Sequence, residues 1–394
     1  ASVCLLLLIS AVTCGHKNER ESWVARYNGP GNGTDAARFI AVDNSGNVYI
    51  TGVSEGLGNT FDYATIKYNS LGKQLWIARY DAEGSEDKVY SMAVDNSGNV
   101  YVTGQTGYRL PDSSWNCDYA TVKYDSSGNQ LWAASYNGPG NYWDGARSLA
   151  VDNSGNVYVT GFSEGLDSTF DYATIKYDSL GNQLWVTRYD GPGNRGDGAR
   201  SLAVDNSGNV YVTGVSKGSA LLGADIDYAT IKYDSRGNQL WVARYNGPGS
   251  GEDVAKFLVH DGSGNIYVTG SSEGSGTGCY DYATIKYDSS GNQLWVARYD
   301  GGGSEDKVYS MAVDNSGNVY VTGQTGYRLP DSSWNCDYAT VKYDSSGNQL
   351  WAASYNGPGN YWDGARSLAV DNSGNVYVTG FSEGLDSTFD YATI

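Results

Sequence analysis

The chain has 394 residues, of which 53 are Gly and 7 are Pro, with no three-residue period, so a collagen-like rod is excluded. A hydrophobic content of 40% and an aromatic content of 13% are enough to bury a core, which excludes general disorder despite a net charge of −18. The same charge argues against a nucleic-acid partner, because binding phosphates requires clustered Lys and Arg.

Residues 1–14 read as an export signal that lacks its basic n-region: the apolar run from Val3 to Ile9 is too short to span a bilayer. Ala11-Val12-Thr13-Cys14-Gly15 resembles a bacterial lipobox, so Cys14 is the expected lipidation site, with ordinary secretion as the alternative. Either reading places the folded part outside the cytoplasm, as an outer-surface lipoprotein or a secreted protein. The membrane is then reached only through a lipid anchor at Cys14. Residues 15–22 are a short polar linker.

From residue 23 onward the sequence repeats. Trp recurs in one setting at positions 23, 76, 132, 185, 241, 295 and 351, and each unit carries four short runs rich in Val, Ile, Tyr and Thr. In the first unit these are Ala36 to Asp43, Asn47 to Val53, Asp62 to Tyr68 and Leu75 to Tyr80, here named strands a to d. Asp43-Asn44-Ser45-Gly46-Asn47 and Asn69-Ser70-Leu71-Gly72-Lys73 supply the glycines that tight hairpins need at positive φ. Four antiparallel strands per unit of about 50 residues is the signature of a β-propeller blade. Residues 23–394 are therefore expected to form an all-β, seven-bladed β-propeller. Its ring would be closed by pairing an N-terminal d strand, Trp23 to Tyr27, with the C-terminal a, b and c strands that end at Asp390 to Ile394. Residues 84–175 recur unchanged at 303–394.

The repeated A-V-D-N-S-G-N-V-Y-V-T-G, as in Ala150 to Gly161 and Ala203 to Gly214, followed by D-Y-A-T-I-K-Y and G-N-Q-L-W, resembles the bacterial SBBP repeat. The resemblance implies a propeller fold and export to the surface or medium. It carries no reaction and no catalytic residues.

In such a fold the a–b and c–d turns share one face, while b–c loops and d-to-a links share the other. The first set is nearly constant in sequence and the second varies, so binding is expected on the second. Its prominent candidates are Tyr108, Arg109, Trp115, Tyr142 and Trp143, with their copies Tyr327, Arg328, Trp334, Tyr361 and Trp362; aromatic rings with Arg suit sugars or protein hot spots. On the same face Asp35, Asp87, Asp144, Asp197, Asp253, Asp306 and Asp363 precede the a strands and are expected as an acidic ring at a channel mouth. Convergent carboxylates can hold Ca²⁺, but an Asp recurring in every unit is more economically a turn residue, so no cofactor or metal is expected. Arg38, Arg147, Arg200, Lys256 and Arg366 follow three residues later and are expected to neutralise the ring locally.

Cys279 and Cys336 fall in corresponding loops and read as exposed free thiols rather than a disulfide. His260 reads as a substituted strand residue, and no G-x-S-x-G elbow accompanies it. The expected function is a non-enzymatic extracytoplasmic binding or scaffold module that engages a protein or glycan through the b–c and d–a face. One alternative is a polysaccharide hydrolase or lyase using the loop carboxylates Glu55, Glu164, Glu273 and Glu383; another is a structural spacer of a larger exported protein.

Overall fold

The computed structural model describes residues 23–394 apart from 59, 83–84, 111–114, 219–225, 250, 276–277, 303–304, 329–333, 360 and 386–387. The expected export signal, Cys14 and the linker lie outside the described residues. Among the described residues every element is a β-strand. The first sheet contains β1 (Asp35–Val42), β2 (Val48–Glu55), β3 (Phe61–Tyr68) and β4 (Gln74–Tyr80); the second contains β5 (Glu86–Val94), β6 (Val100–Arg109), β7 (Trp115–Tyr124) and β8 (Gln130–Tyr136). The third contains β9 (Asp144–Val151), β10 (Val157–Glu164), β11 (Phe170–Tyr177) and β12 (Gln183–Tyr189), and the fourth β13 (Gly198–Val204), β14 (Val210–Lys217), β15 (Ile226–Tyr233) and β16 (Gln239–Tyr245). A fifth sheet has eight strands, β17 (Asp253–His260), β18 (Ile266–Glu273), β19 (Tyr280–Tyr287), β20 (Gln293–Tyr299), β21 (Glu305–Val313), β22 (Val319–Arg328), β23 (Trp334–Tyr343) and β24 (Gln349–Tyr355). The last holds β25 (Asp363–Val370), β26 (Val376–Glu383) and β27 (Phe389–Thr393).

These are antiparallel four-strand propeller blades, but the expectation of seven separate ones needs correction. Five sheets carry four or more strands, because two meanders join through the parallel pair Tyr280 and Glu305. The expected closing strand is also absent: residues 23–29 form no strand, and the last sheet has three strands among the described residues. A strand exists through its ladder, and this segment has none. Instead Trp23 stacks on Tyr68 at 5.9 Å, and Tyr27 accepts a hydrogen bond from Arg79 at 2.9 Å. The chain divides into two compact units at Val186 and Thr187.

Within each unit, neighbouring sheets are tied by the repeat's own residues. The Trp of one d strand lies over the c–d turn glycine of the next sheet, whose φ is positive. At Gly128 (φ +88°), for instance, a Cβ would meet the Trp76 ring at 2.7 Å. The indole N–H then donates to a turn carbonyl, Trp76 to Ser126 at 3.0 Å, Trp132 to Ser179 at 3.1 Å and Trp241 to Ser289 at 3.1 Å. Lys67, Lys123 and Lys232 donate to the same three carbonyls. The Tyr of D-Y-A-T is buried and reaches the next sheet's backbone, as Tyr228 does in donating to Ala283 O at 3.3 Å. Tyr228→Phe is expected to lower stability by about 1 kcal/mol, because it removes a buried hydrogen bond between sheets; a urea midpoint equal to the parent's would contradict this.

The glycine of V-T-G has a defined task. In every repeat unit the a strand bulges against it: the register skips Arg38, Tyr90, Arg147, Arg200, Lys256, Tyr309 and Arg366 in turn. The glycines opposite these bulges include Gly52, Gly104, Gly161, Gly214, Gly270, Gly323 and Gly380. A Cβ on any of them would overlap a carbonyl oxygen of the first strand, Val254 O in the case of Gly270.

Candidate functional site

The acidic series is held within its own links, half-buried at Asp35 and buried at the other six positions. Asp35 accepts from Gly29 N at 2.8 Å, Asp144 from Gly138 N at 2.7 Å and Asp197 from Gly191 N at 2.5 Å. Asp253 accepts from Gly247 N at 2.6 Å, Asp306 from Gly301 N at 2.8 Å and Asp363 from Gly357 N at 2.7 Å, while Asp87 takes Ala82 N at 3.2 Å and the Ser85 hydroxyl at 2.8 Å. Each carboxylate thus pins a d-to-a link to the strand that follows. Burial pushes Asp87 and Asp306 up to about 6, against the pull of the Thr106 and Ser85 hydroxyls on Asp87 and of Gly301 N–H and Thr325 on Asp306.

Three aspartate clusters have donor oxygens within 4.8 Å of one another: Asp62, Asp81 and Asp87; Asp171, Asp190 and Asp197; and Asp281, Asp300 and Asp306. Arg79 pairs with Asp62 at 2.5 Å and Arg298 with Asp281 at 2.7 Å, so in the first and third clusters a guanidinium already supplies positive charge. The corresponding pair Arg244 and Asp227 is 2.7 Å apart. The D-N-S-G-N turn spends its carboxylate locally. Asp43 accepts from Ser45 N and Asn47 N at 2.9 Å, from Asn47 Nδ2 at 2.8 Å and from the Tyr49 hydroxyl at 2.9 Å. Burial opposes ionisation, yet these donors hold the Asp43 carboxyl below the usual carboxylate range.

Tyr108 and Trp115 sit on extended strands, and Tyr142 and Trp143 on the link before β9. Gly107 to Cys117 read as a b–c loop, but the β6/β7 ladder continues through Gly107 with Cys117, Tyr108 with Asn116 and Arg109 with Trp115. Asn116 Nδ2 donates to the Tyr108 hydroxyl at 2.6 Å. Cys117 N donates to Tyr142 O at 3.0 Å and Glu164 N to Trp143 O at 3.0 Å, which suspends the Tyr142–Trp143 link between β7 and β10. Trp115 and Trp143 come together, 40% and 43% exposed, and with Glu86, Lys88, Gln105, Gly107 and Cys117 they line a cavity of about 300 Å³. Tyr108 and Arg109 mark the end of the ladder outside this lining.

The second copy repeats the pattern. Tyr327 accepts from Asn335 Nδ2 at 2.6 Å, the Arg328 guanidinium lies 5.6 Å from the Trp334 ring, Cys336 N donates to Tyr361 O at 3.2 Å, and Glu383 N donates to Trp362 O at 3.0 Å.

Sequence reasoning missed Glu86, Lys88, Gln105 and Cys117. Their signal was present: the second and sixth units alone read E-D-K before strand a and V-T-G-Q in strand b. The thiols also need correction. Cys336 is buried rather than exposed and Cys279 is half-buried; Cys117 is buried as well, and none of the three is in a disulfide. Burial pushes the Cys117 thiol up, and Gln105 Nε2 lies 3.8 Å from its sulfur. Of the loop carboxylates, Glu55 accepts from Thr34 N at 3.0 Å, Glu164 from Trp143 N at 3.3 Å and Glu383 from Trp362 N at 3.4 Å. His260 Nδ1 lies 3.1 Å from Asp261 O.

Among curated proteins, the chain is 26% identical over 434 aligned residues to an uncharacterized WD repeat-containing protein of Acanthamoeba polyphaga mimivirus, covering 88% of this chain and 29% of that one. It is 28% identical over 213 residues to the regulatory protein FlaEY of Caulobacter vibrioides, covering 49% and 21%. The chain therefore spans less than a third of the length of either relative. Among solved structures, a polysaccharide lyase described as an ulvan lyase aligns over 86% of this chain and 88% of its own at 12% identity, with a TM-score of 0.48. A gluconolactonase from Xanthomonas campestris aligns over 72% and 87% at 14% identity, with a TM-score of 0.34. The beta-propeller repeat model of the SBBP family matches residues 75–107, 185–221 and 294–326, each time entering at strand d and running through a into b. Three matches in one register, on four-strand blades, show that this chain carries beta-propeller repeats of the SBBP type.

Proposed function

We propose that the protein is a non-enzymatic binding module acting outside the cytoplasm, and that the cavity between Trp115 and Trp143 holds a sugar unit of a glycan. The observation that carries this reading is the pairing of two half-exposed indoles with Glu86, Lys88 and Gln105 around about 300 Å³, the lower end of ligand-site volumes. Indole faces cover the apolar side of a pyranose, and the charged and amide groups meet its hydroxyls. Because Trp115 stands on a ladder and Trp143 is held by backbone bonds, little ordering is left to be done on binding.

The hydrolase or lyase alternative draws no support from Glu55, Glu164 and Glu383, whose carboxylates each serve a backbone N–H in the same way. Lipidation at Cys14 belongs to the same proposal and is tested by mass spectrometry of the mature protein.

Screening the protein on a glycan array, and then repeating the screen with Trp143→Ala, tests the binding reading. Loss of a hot-spot aromatic is expected to weaken binding at least ~30-fold, about 2 kcal/mol. Undiminished binding by Trp143→Ala and Trp115→Ala would remove the cavity from consideration, and capture of a protein in place of any glycan would reassign the ligand.

A further inference from the structure

The bulges collect cations. In the unit formed by residues 187–394, the bulged positions of β13, β17, β21 and β25 are Arg200, Lys256, Tyr309 and Arg366. A bulge leaves its extra residue out of the ladder and re-aims its side chain. These four first strands run side by side. Leu258 N donates to Ser201 Oγ at 3.2 Å, Lys256 Nζ to Val308 O at 3.2 Å, and Leu368 N to Ser310 Oγ at 3.3 Å.

The re-aimed groups consequently meet. Lys256 Nζ is 5.2 Å from the centroid of the Tyr309 ring, and the Arg366 guanidinium is 4.2 Å from the same centroid, so two cations share one aromatic residue.

The nearby carboxylates are engaged elsewhere. Asp253, Asp306 and Asp363 are turned onto Gly247, Gly301 and Gly357 N–H, and Glu305 is paired with Lys307 at 2.7 Å. Among the described residues, Lys256 and Arg366 have no carboxylate partner. Burial, with the like charges of Arg200, Lys307 and Arg366, pushes the Lys256 ammonium down to about 8. In a chain of net charge −18, nothing in the overall composition forces positive groups together.

We propose that Lys256 and Arg366 form a binding site for an oxyanion, a sulfate, phosphate or carboxylate group. Guanidinium groups meet such oxygens with paired N–H donors and the ammonium meets them as a point charge. Arg366 is exposed and Lys256 half-buried, so the site is open to a ligand. Neither residue lines the Trp115 cavity.

Thermal-shift titration of the full chain with sodium sulfate, phosphate and citrate, at ionic strength fixed with NaCl, tests this. A saturable rise in Tm is expected with at least one of the three. The strongest responder tells an inorganic oxyanion from a carboxylate. Lys256→Met and Arg366→Met are each expected to weaken the response at least ~10-fold, the scale of one charge-assisted hydrogen bond, whereas Lys256→Arg retains it. Each Met variant loses its contact with the Tyr309 ring, so its response is read as the oxyanion-induced rise above its own Tm without oxyanion. The site is refuted if no titration saturates or if the Met variants show the parent's rise.

Discussion

Gly270→Ala is expected to destabilise the protein by about 3 kcal/mol or more, while Gly262→Ala, only eight residues away, leaves it unchanged or slightly more stable. At Gly270 the added methyl would overlap Val254 O and stand 2.8 Å from the Tyr228 hydroxyl, and the atom that would have to yield first is backbone. That carbonyl lies two residues before Lys256, the bulged position, so relief requires undoing the bulge and shifting β17 against β18. A one-residue shift would turn the strand's buried Ala255 and Leu258 toward solvent. At Gly262 a Cβ meets nothing within 4 Å, and the substitution acts through the entropy of the unfolded chain alone. Urea midpoints of the two variants beside the parent read the difference. If both were equal to the parent's, the glycine of V-T-G would have no steric role.

Local turn chemistry was readable in the sequence because it involves neighbours along the chain. Asp43 to Asn47 announces its hairpin, and the reading of the recurring aspartates as turn acceptors rests on the same short range. The strand set of each unit was readable for a related reason, since the glycine and asparagine turns bracket every apolar run. What failed depends on pairing between distant residues. Gly107, Pro111 and Asp112 made residues 107–117 look like a loop, yet Arg109 and Trp115 face each other as the last rung of a ladder. Trp23 to Tyr27 has the composition of strand d, but no ladder partner holds it, and its Trp packs by its ring alone. The bulges were invisible for the same reason. That Arg147, Lys256 and Tyr309 occupy one structural position follows from register, since Tyr309 stands where other units have a base and the preceding Asp is three residues away in every case. The Trp115 cavity lies between. Its aromatic walls were legible as exposed rings in variable segments, whereas Gln105 and Lys88 reach it through strands that the repeat made look ordinary.

Stability is expected to be greatest near pH 4–5 and to fall as the pH is raised to 7. Asp87 and Asp306 are buried, and burial raises both to about 6 in the folded state. In the unfolded chain a carboxyl of this kind titrates near ~4. Between those values the folded protein holds protons that the unfolded chain has released. The contribution of each group is therefore fully present below the unfolded value and lost as the pH rises through the folded one, by about 3 kcal/mol per group. Asp118 and Asp337 shift the same way to about 6, through burial and then the neighbouring charges of Asp144 and Asp363. The turn carboxylates work in the opposite sense. Asp43, Asp205, Asp261 and Asp314 are held low by their own turn donors against burial, so what they contribute is present above about pH 4 and lost as the pH falls through their folded values. The two sets leave a maximum between them. Asp87→Asn and Asp306→Asn keep an acceptor for Ala82 N and Gly301 N while removing the charge, so each should raise Tm at pH 7.5 and flatten the slope between pH 5 and 7. Melting curves from pH 3.5 to 8 decide the matter. A parent slope that survives both substitutions intact would mean that these two carboxyls ionise as easily inside the fold as outside it.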